Sequence, residues 1–159
     1  MTEIRGLTQA LSQNIVQTAG ERCSVKRFGD QFCKFDVAAV TRTGVVTEVT
    51  SRRFFTVALT PSDDPPVPTY FNGGRIAFTS GKNAGFFREV KRAIVSAGAA
   101  QIELWDEMPD DVEVDDTCTL EPGCDKTYET CRDVFQNIVN FRGYGIFIPG
   151  ALELMKGPT

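Results

Sequence analysis

Hydrophobic and polar positions alternate through the middle of the chain and lose that alternation at both ends. Residues 36–60 are rich in Val, Thr and Phe, a composition that suits strands. Within them Phe55, Val57 and Leu59 alternate with Thr56 and Ala58, and Gly44 reads as a turn between two strands. Residues 75–80 predict a short strand with Ile76 and Phe78 on one face. Residues 86–96 and 100–107 predict a hairpin about Ala97 and Gly98, in which Ile102 and Leu104 alternate with Gln101, Glu103 and Trp105. The expected fold is mainly β, an antiparallel β barrel or sandwich.

Three stretches interrupt this pattern. Residues 61–68 carry four prolines, which exclude a helix or a central strand. They predict a long exposed loop, a solvated connector closed by an Asn72-Gly73-Gly74 turn. Residues 109–116 are acidic but lack the glycine and regular oxygen spacing of an EF-hand, so they read as a solvated turn leading into a strand. Residues 125–139 are the best helical candidate, one short helix late in the chain, followed by a glycine- and aromatic-rich coil. At the other end, Leu7, Ala10, Leu11, Ile15 and Val16 suit either a short amphipathic helix or an arm that pairs with a partner. The expected division is an arm over residues 1–22 and a β-rich domain over residues 23–159.

Composition narrows the function. A chain of 159 residues that is 42% hydrophobic can build one core. A net charge of −4 argues against a nucleic-acid partner. The apolar stretches are too short to span a bilayer as a helix, so no transmembrane segment is expected. The N-terminus has no basic region followed by an apolar one, which makes a reducing cytoplasm the expected folding compartment. The chain has no histidine. That removes the commonest general base, every His-containing triad and every zinc site with imidazole ligands. The glycines of FNGGR, TSGKNAG and FRGYG lack the strand and helix that a nucleotide-binding loop needs. An enzyme is not expected.

The candidate chemistry lies in five cysteines. Cys23 and Cys33 sit near one end, Cys124 and Cys131 near the other, with Cys118 just before them. Disulfides, buried free thiols and a four-thiolate metal site all compete for this pattern. The odd count and the missing leader weigh against disulfides. Gaps of nine residues in the first pair and six in the second are wider than the usual zinc knuckle and suit a site assembled from loops. An iron–sulfur cube can take ligands from four directions, so both zinc and iron–sulfur remain open on spacing. If Cys124 and Cys131 shared a straight helix, their Cα atoms would lie ~10.5 Å apart along its axis. Cys124 is therefore expected in the loop before the helix, turned inward with help from Gly123, and Cys131 inside the helix. A site of this kind carries net negative charge, and Arg22, Lys26, Arg27, Lys34, Lys126 and Arg132 flank the cysteines.

These residues also carry a family resemblance. The segment GCDKTYETCRDVFQNIVNFRGYGIFIPG resembles the C-terminal signature of phage tail-tip proteins, a GCDK…TCR…F-N…NFRG…PG pattern. EIRGLTQALSQ and CSVKRFGDQFC resemble the family's upstream arm and first cysteine pair, and FNGGRIAFTSGKNAGFFREVKR and IELWDEMP its middle segments. The family is that of the lambda-type minor tail protein L and its relatives in gene transfer agents and other long-tailed phages. The resemblance implies a virion structural protein at the distal end of the tail, assembled in the host cytoplasm. It implies multiple copies around the tail axis, beside the hub or central fibre protein, the distal tail protein and the tape-measure end. It also implies a 4Fe-4S cluster on Cys23, Cys33, Cys124 and Cys131 that joins the two chain ends; zinc is the alternative. Cys118 falls outside the pattern. The family's long N-terminal domain has no counterpart in this sequence, which would leave the hub domain to another polypeptide. The YGIFIPG ending departs from the usual FPHIPG-like one.

Overall fold

A computed structural model describes residues 20–143. The expected N-terminal helix or arm and the YGIFIPG ending lie outside the described residues. The alternating segments form β1 (Arg42–Val49), β2 (Phe54–Thr60), β3 (Arg75–Phe78), β4 (Phe87–Ser96), β5 (Ala99–Leu104) and β6 (Thr117–Glu121). They close into an antiparallel barrel in the order β1-β2-β5-β4-β3-β6. β6 makes the closure by pairing with both β1 and β3, so Ile76 and Arg42 each lie opposite Leu120. Of the two architectures expected, the barrel forms. Closure removes the exposed edges that a sandwich would have to protect.

The two-residue period puts Val46, Phe55, Val57, Ile76, Phe78, Val90, Ile102, Leu104 and Leu120 inside, all buried. Phe55 and Phe78 meet edge to face with ring centroids 5.8 Å apart. The hairpin expected about Ala97 and Gly98 joins β4 to β5.

Gly44 is not a turn. It lies inside β1, opposite Leu59 on one side and Cys118 on the other. A Cβ there would collide with the Val57 side chain, so the glycine permits close approach of the strands. The β1–β2 turn falls at residues 50–53, where the Ser51 hydroxyl accepts bonds from the Arg53 and Phe54 amides at 3.2 and 3.1 Å.

The proline-rich loop is only half a solvated connector. Residues 61–64 are exposed, but Tyr70 and Phe71 are buried at the mouth of the barrel. The loop is stitched to the β4–β5 hairpin by Val95 N to Pro68 O (2.9 Å), Ala93 N to Asn72 Oδ1 (2.6 Å) and Gly98 N to Asp64 Oδ1 (3.0 Å). Its second half acts as a plug. At the opposite mouth, buried Asn83 pins the acidic loop through bonds with Asp110 and Asp111. That loop is less solvated than its composition suggests, since Val112 and Asp116 are buried.

Strand direction positions the candidate site. The start of β1, the end of β6 and the plug all fall at the same mouth of the barrel. An antiparallel closure between first and last strands delivers the segments before residue 42 and after residue 121 to one place. Among the described residues, no helix is long and apolar enough to cross a membrane.

Candidate metal centre

Cys23, Cys33, Cys124 and Cys131 line one narrow pocket at that mouth, together with Val25, Phe28, Lys126, Thr127, Phe135, Asn137 and Asn140. Cys118 does not line it. It is buried in β6, opposite Gly44 and Phe78. All five cysteines are free.

The first cysteine loop is shaped by Asp30, whose Oδ1 accepts the Phe32 and Cys33 amides, both at 2.9 Å. These bonds, that from Cys33 foremost, hold the Asp30 carboxyl below its ordinary range. The second begins where β6 ends. Cys124 lies in the loop before the helical turn, as the geometric argument requires. A Cβ on Gly123 would collide with the Asn72 carbonyl, so glycine lets this loop press against the plug. Asp125 then fixes the entry to the turn. Its Oδ1 accepts the Thr127 amide (2.9 Å) and hydroxyl (2.8 Å), and its Oδ2 accepts the Thr130 hydroxyl (3.0 Å). Burial opposes the Asp125 charge, but these bonds outweigh it and keep the carboxyl below its ordinary range.

The helix is much shorter than residues 125–139. Cys131 sits in a wide turn, Thr130–Val134, closed by the Phe135 amide on the Thr130 carbonyl at 3.2 Å. A second short turn covers Ile138–Asn140. Between them Gln136 adopts φ 50°, and the Asn137 amide reaches back to the Cys131 carbonyl at 2.9 Å. Asn137 is also held by its side chain. Nδ2 donates to the Cys33 carbonyl at 2.8 Å and to Cys33 Sγ at 3.5 Å. That attachment across the pocket draws the chain out of a regular helix.

The two ends are joined further by Cys23 N to Lys126 O (2.9 Å) and Ser24 N to Arg142 O (3.2 Å). The Arg142 amide donates to Cys23 Sγ at 3.4 Å, and Cys131 Sγ donates to the Asn137 carbonyl at 3.4 Å. Below the pocket Phe135 packs on Phe28, Phe35 and Tyr70 with centroids 4.5, 5.1 and 5.7 Å away. Tyr70 in turn meets Phe71 at 5.3 Å, which links the pocket floor to the barrel core.

The thiols feel one another. Burial pushes Cys131 up to about 11, with Cys124, Cys23 and Cys33 adding to the rise. Burial likewise raises Cys124; the Lys126 backbone opposes this, while Asp125, Cys33 and Cys23 reinforce it. Four thiols line one pocket, two of them facing N–H donors, and thiols are the ligand type that soft metals and iron–sulfur clusters take. Among the described residues, no three His, Cys, Asp or Glu side chains are gathered closely enough to hold a single metal ion.

The flanking cations serve mainly other partners. Arg27 approaches Glu121 at 3.7 Å, and Arg132 binds Asp133 at 2.7 Å while stacking on Tyr128. Lys126 lines the pocket and donates to the Lys26 carbonyl at 3.4 Å. The residues that composition could not single out are Asp30, Phe28, Phe135 and Asn137. Phe135 and Asn137 stood in the F-N step of the C-terminal signature, but nothing there assigned them contacts.

A closed β barrel whose mouth carries a four-thiol cap defines the class of domain. The chain belongs to the phage family described as phage conserved hypothetical protein BR0599, which matches residues 69–151. That match includes Cys124 and Cys131 and begins after Cys23 and Cys33. Over 97% of its length the chain is also similar, at 31% identity and a TM-score of 0.72, to a chain of a solved structure described as the virion of a native gene transfer agent (GTA) particle. It spans about half of that chain, 52%. No curated protein matches.

Proposed function

We propose that this chain is a structural protein of a phage or gene-transfer-agent virion, seated at the distal tip of the tail. The observation that carries this reading is the similarity to a gene-transfer-agent virion chain along 97% of the sequence. The placement at the tip, beside hub, distal tail and tape-measure proteins, rests on the tail-tip signature. The chain corresponds to about half of that relative, 52% of its length, and the proposal concerns that half. The role is architectural, with no substrate.

The same reading assigns Cys23, Cys33, Cys124 and Cys131 to a 4Fe-4S cluster. Two cysteines from each chain end surround one pocket, a disposition that suits a cube with an iron at each of four corners. The backbone N–H of Arg142 and the side-chain N–H of Asn137 would stabilise thiolate at Cys23 and Cys33. Val25, Phe28 and Phe135 exclude water from one side. When bound, such a group ties the chain ends together and can contribute on the order of 10 kcal/mol of folding free energy, by analogy with zinc peptides. Zinc is the alternative occupant, and a single ion would require the four thiols to draw closer together than they lie among the described residues.

Mass spectrometry of gradient-purified particles tests the virion reading; a chain present in lysate and missing from infectious particles overturns it. The spectrum of protein purified without oxygen tests the cluster. A brown protein absorbing near ~400 nm supports iron–sulfur. A colourless zinc protein supports the alternative. Cys→Ser at any of the four should abolish the chromophore, while Cys118→Ser should keep it.

A further inference from the structure

We infer that the Asn137 side chain is the joint that holds the two cysteine-bearing ends in register before any metal is bound, and that it keeps an N–H on the Cys33 sulfur once one is. The second half of this inference rests on the cluster reading; the first does not.

Three contacts fix the orientation of the amide. The Cys33 carbonyl can only accept, so the group 2.8 Å from it must be the Asn137 Nδ2 donor. The Asn140 Nδ2 donates to the Asn137 Oδ1 at 2.7 Å, which locks the opposite face. A flipped amide would set oxygen against oxygen at one partner and N–H against N–H at the other. The same orientation brings Nδ2 to Cys33 Sγ at 3.5 Å. The backbone of Asn137 meanwhile takes both ends of Cys131, its N–H on the Cys131 carbonyl at 2.9 Å and its carbonyl against Cys131 Sγ at 3.4 Å.

One residue therefore grips one cysteine from each chain end. Cys33 is held on its other side by Asp30, through the Phe32 and Cys33 amides. The loop is thus clasped at its N–H groups by its own aspartate and at its carbonyl by the distant asparagine. The other hydrogen bonds between the ends, Cys23 N to Lys126 O, Ser24 N to Arg142 O, Arg142 N to Cys23 Sγ and Lys126 Nζ to Lys26 O, act on residues 23–26. Phe28 and Phe35 tie the rest of that loop to Phe135 by packing, and Asn137 makes the polar contacts from the other end to Cys33 itself.

The test compares full-length wild type with Asn137→Ala, Asn137→Asp and Asn140→Ala, first metal-free under reducing conditions and then after loading with iron and sulfide. In the metal-free protein, hydrogen exchange in the Cys33 loop should rise roughly five- to ten-fold in Asn137→Ala, as expected for one lost bond, with barrel amides unchanged. Asn137→Asp keeps the shape but offers only acceptors, so it should be at least as damaging. Asn140→Ala should give a smaller rise of the same sign. Unchanged exchange in the Cys33 loop overturns the joint. If Asn137→Ala unfolds the barrel, the Asn140→Ala result decides. After loading, Asn137→Ala should shift the cluster potential to more negative values, because an N–H on sulfur favours the reduced form. An unshifted potential overturns the sulfur contact. Wild type that takes up no iron refutes the cluster reading and leaves the exchange result to judge the joint.

Discussion

The barrel and the cysteine cap at its mouth are held together in different ways. In the barrel every strand has two neighbours, and inward side chains are buried on a two-residue period. The cap, residues 20–41 and 122–143, has little regular structure beyond short turns at Ala38–Val40, Thr130–Val134 and Ile138–Asn140. It also contains Lys34, Lys126 and Gln136, three of the five described non-glycine residues with left-handed backbone. Each costs about 1–2 kcal/mol, a deficit that surrounding contacts must offset. In the cap those contacts are aromatic packing on the plug, bonds between the chain ends and, on the proposed reading, the metal. These contacts predict a hierarchy in which the cap opens before the barrel.

The strongest attempt to break this hierarchy removes Phe71, fully buried at the boundary. Phe71→Ala should cost about 3–5 kcal/mol and lower the melting temperature by roughly 10 °C or more. Barrel and cap should lose exchange protection together, because the plug serves both. Loss confined to the cap would mean that the plug belongs to the cap alone.

Phe135→Ala cuts the other way. Phe135 is the hub on which Phe28, Phe35 and Tyr70 converge, yet it comes from the cap. Its removal should cost about 3 kcal/mol within the cap, raising exchange at Cys33 and Cys131 while β1 to β6 stay protected. A barrel that melts with it would show the two regions to be one cooperative unit. In that case the cap's strained residues are offset by the whole core.

The two regions were also unequally legible. Alternation along Phe55–Val57–Leu59, Ile76–Phe78 and Ile102–Leu104 gave strands and faces because burial on one side of a strand leaves a local signal. Gly44 misled, because a glycine that opens a turn and a glycine that admits a neighbouring strand look alike until the neighbour is known. Tyr70 and Phe71 were hidden behind prolines that spoke only for residues 61–68. The meeting of Cys23 and Cys33 with Cys124 and Cys131 could be expected from residue type and resemblance, but its cause is topological: β1 and β6 pair antiparallel, so both ends leave at one mouth. The long helix over residues 125–139 failed because its partner, the Cys33 carbonyl, lies about a hundred residues away in sequence.

Cys118 sharpens the comparison at lower cost, since it places the same chemical group in the other environment. Burial, with Asp116 adding to it, pushes its thiol up from an ordinary 9.0 to about 12. In folded metal-free protein at neutral pH, thiol reagents should label cap cysteines well before Cys118, which should react on unfolding. The raised value also has a sign. The folded form keeps its proton while the unfolded thiol ionises above 9.0, so this contribution is complete below that pH and is lost as pH rises towards about 12. The stability advantage of wild type over Cys118→Ala should therefore narrow across that window. An advantage that is constant with pH would mean that Cys118 is more open to water than its position in β6 implies.

The smallest effect is expected where the solvated half of the plug loop meets the barrel. Arg42, at the start of β1, forms a two-pronged bond to Asp63, Nη1 to Oδ1 at 2.8 Å and Nη2 to Oδ2 at 3.0 Å. Arg42 is largely covered, but the Asp63 side chain is 64% exposed, so water and salt screen the pair. The Arg42 bond holds the Asp63 carboxyl below its ordinary 3.8, against a slight opposing effect of burial. A lowered carboxyl stabilises the fold above its unfolded pKa, and this is lost as pH falls through the folded value. Asp63→Asn should thus lower the urea midpoint barely detectably at pH 7, less so in high salt, and not at all once the native carboxyl is protonated. Arg42 would still reach the Pro61 carbonyl at 3.3 Å, which limits the loss further. A deficit that persists at low pH would have to come from the shape of the loop rather than its charge, and would make residues 61–64 part of the plug.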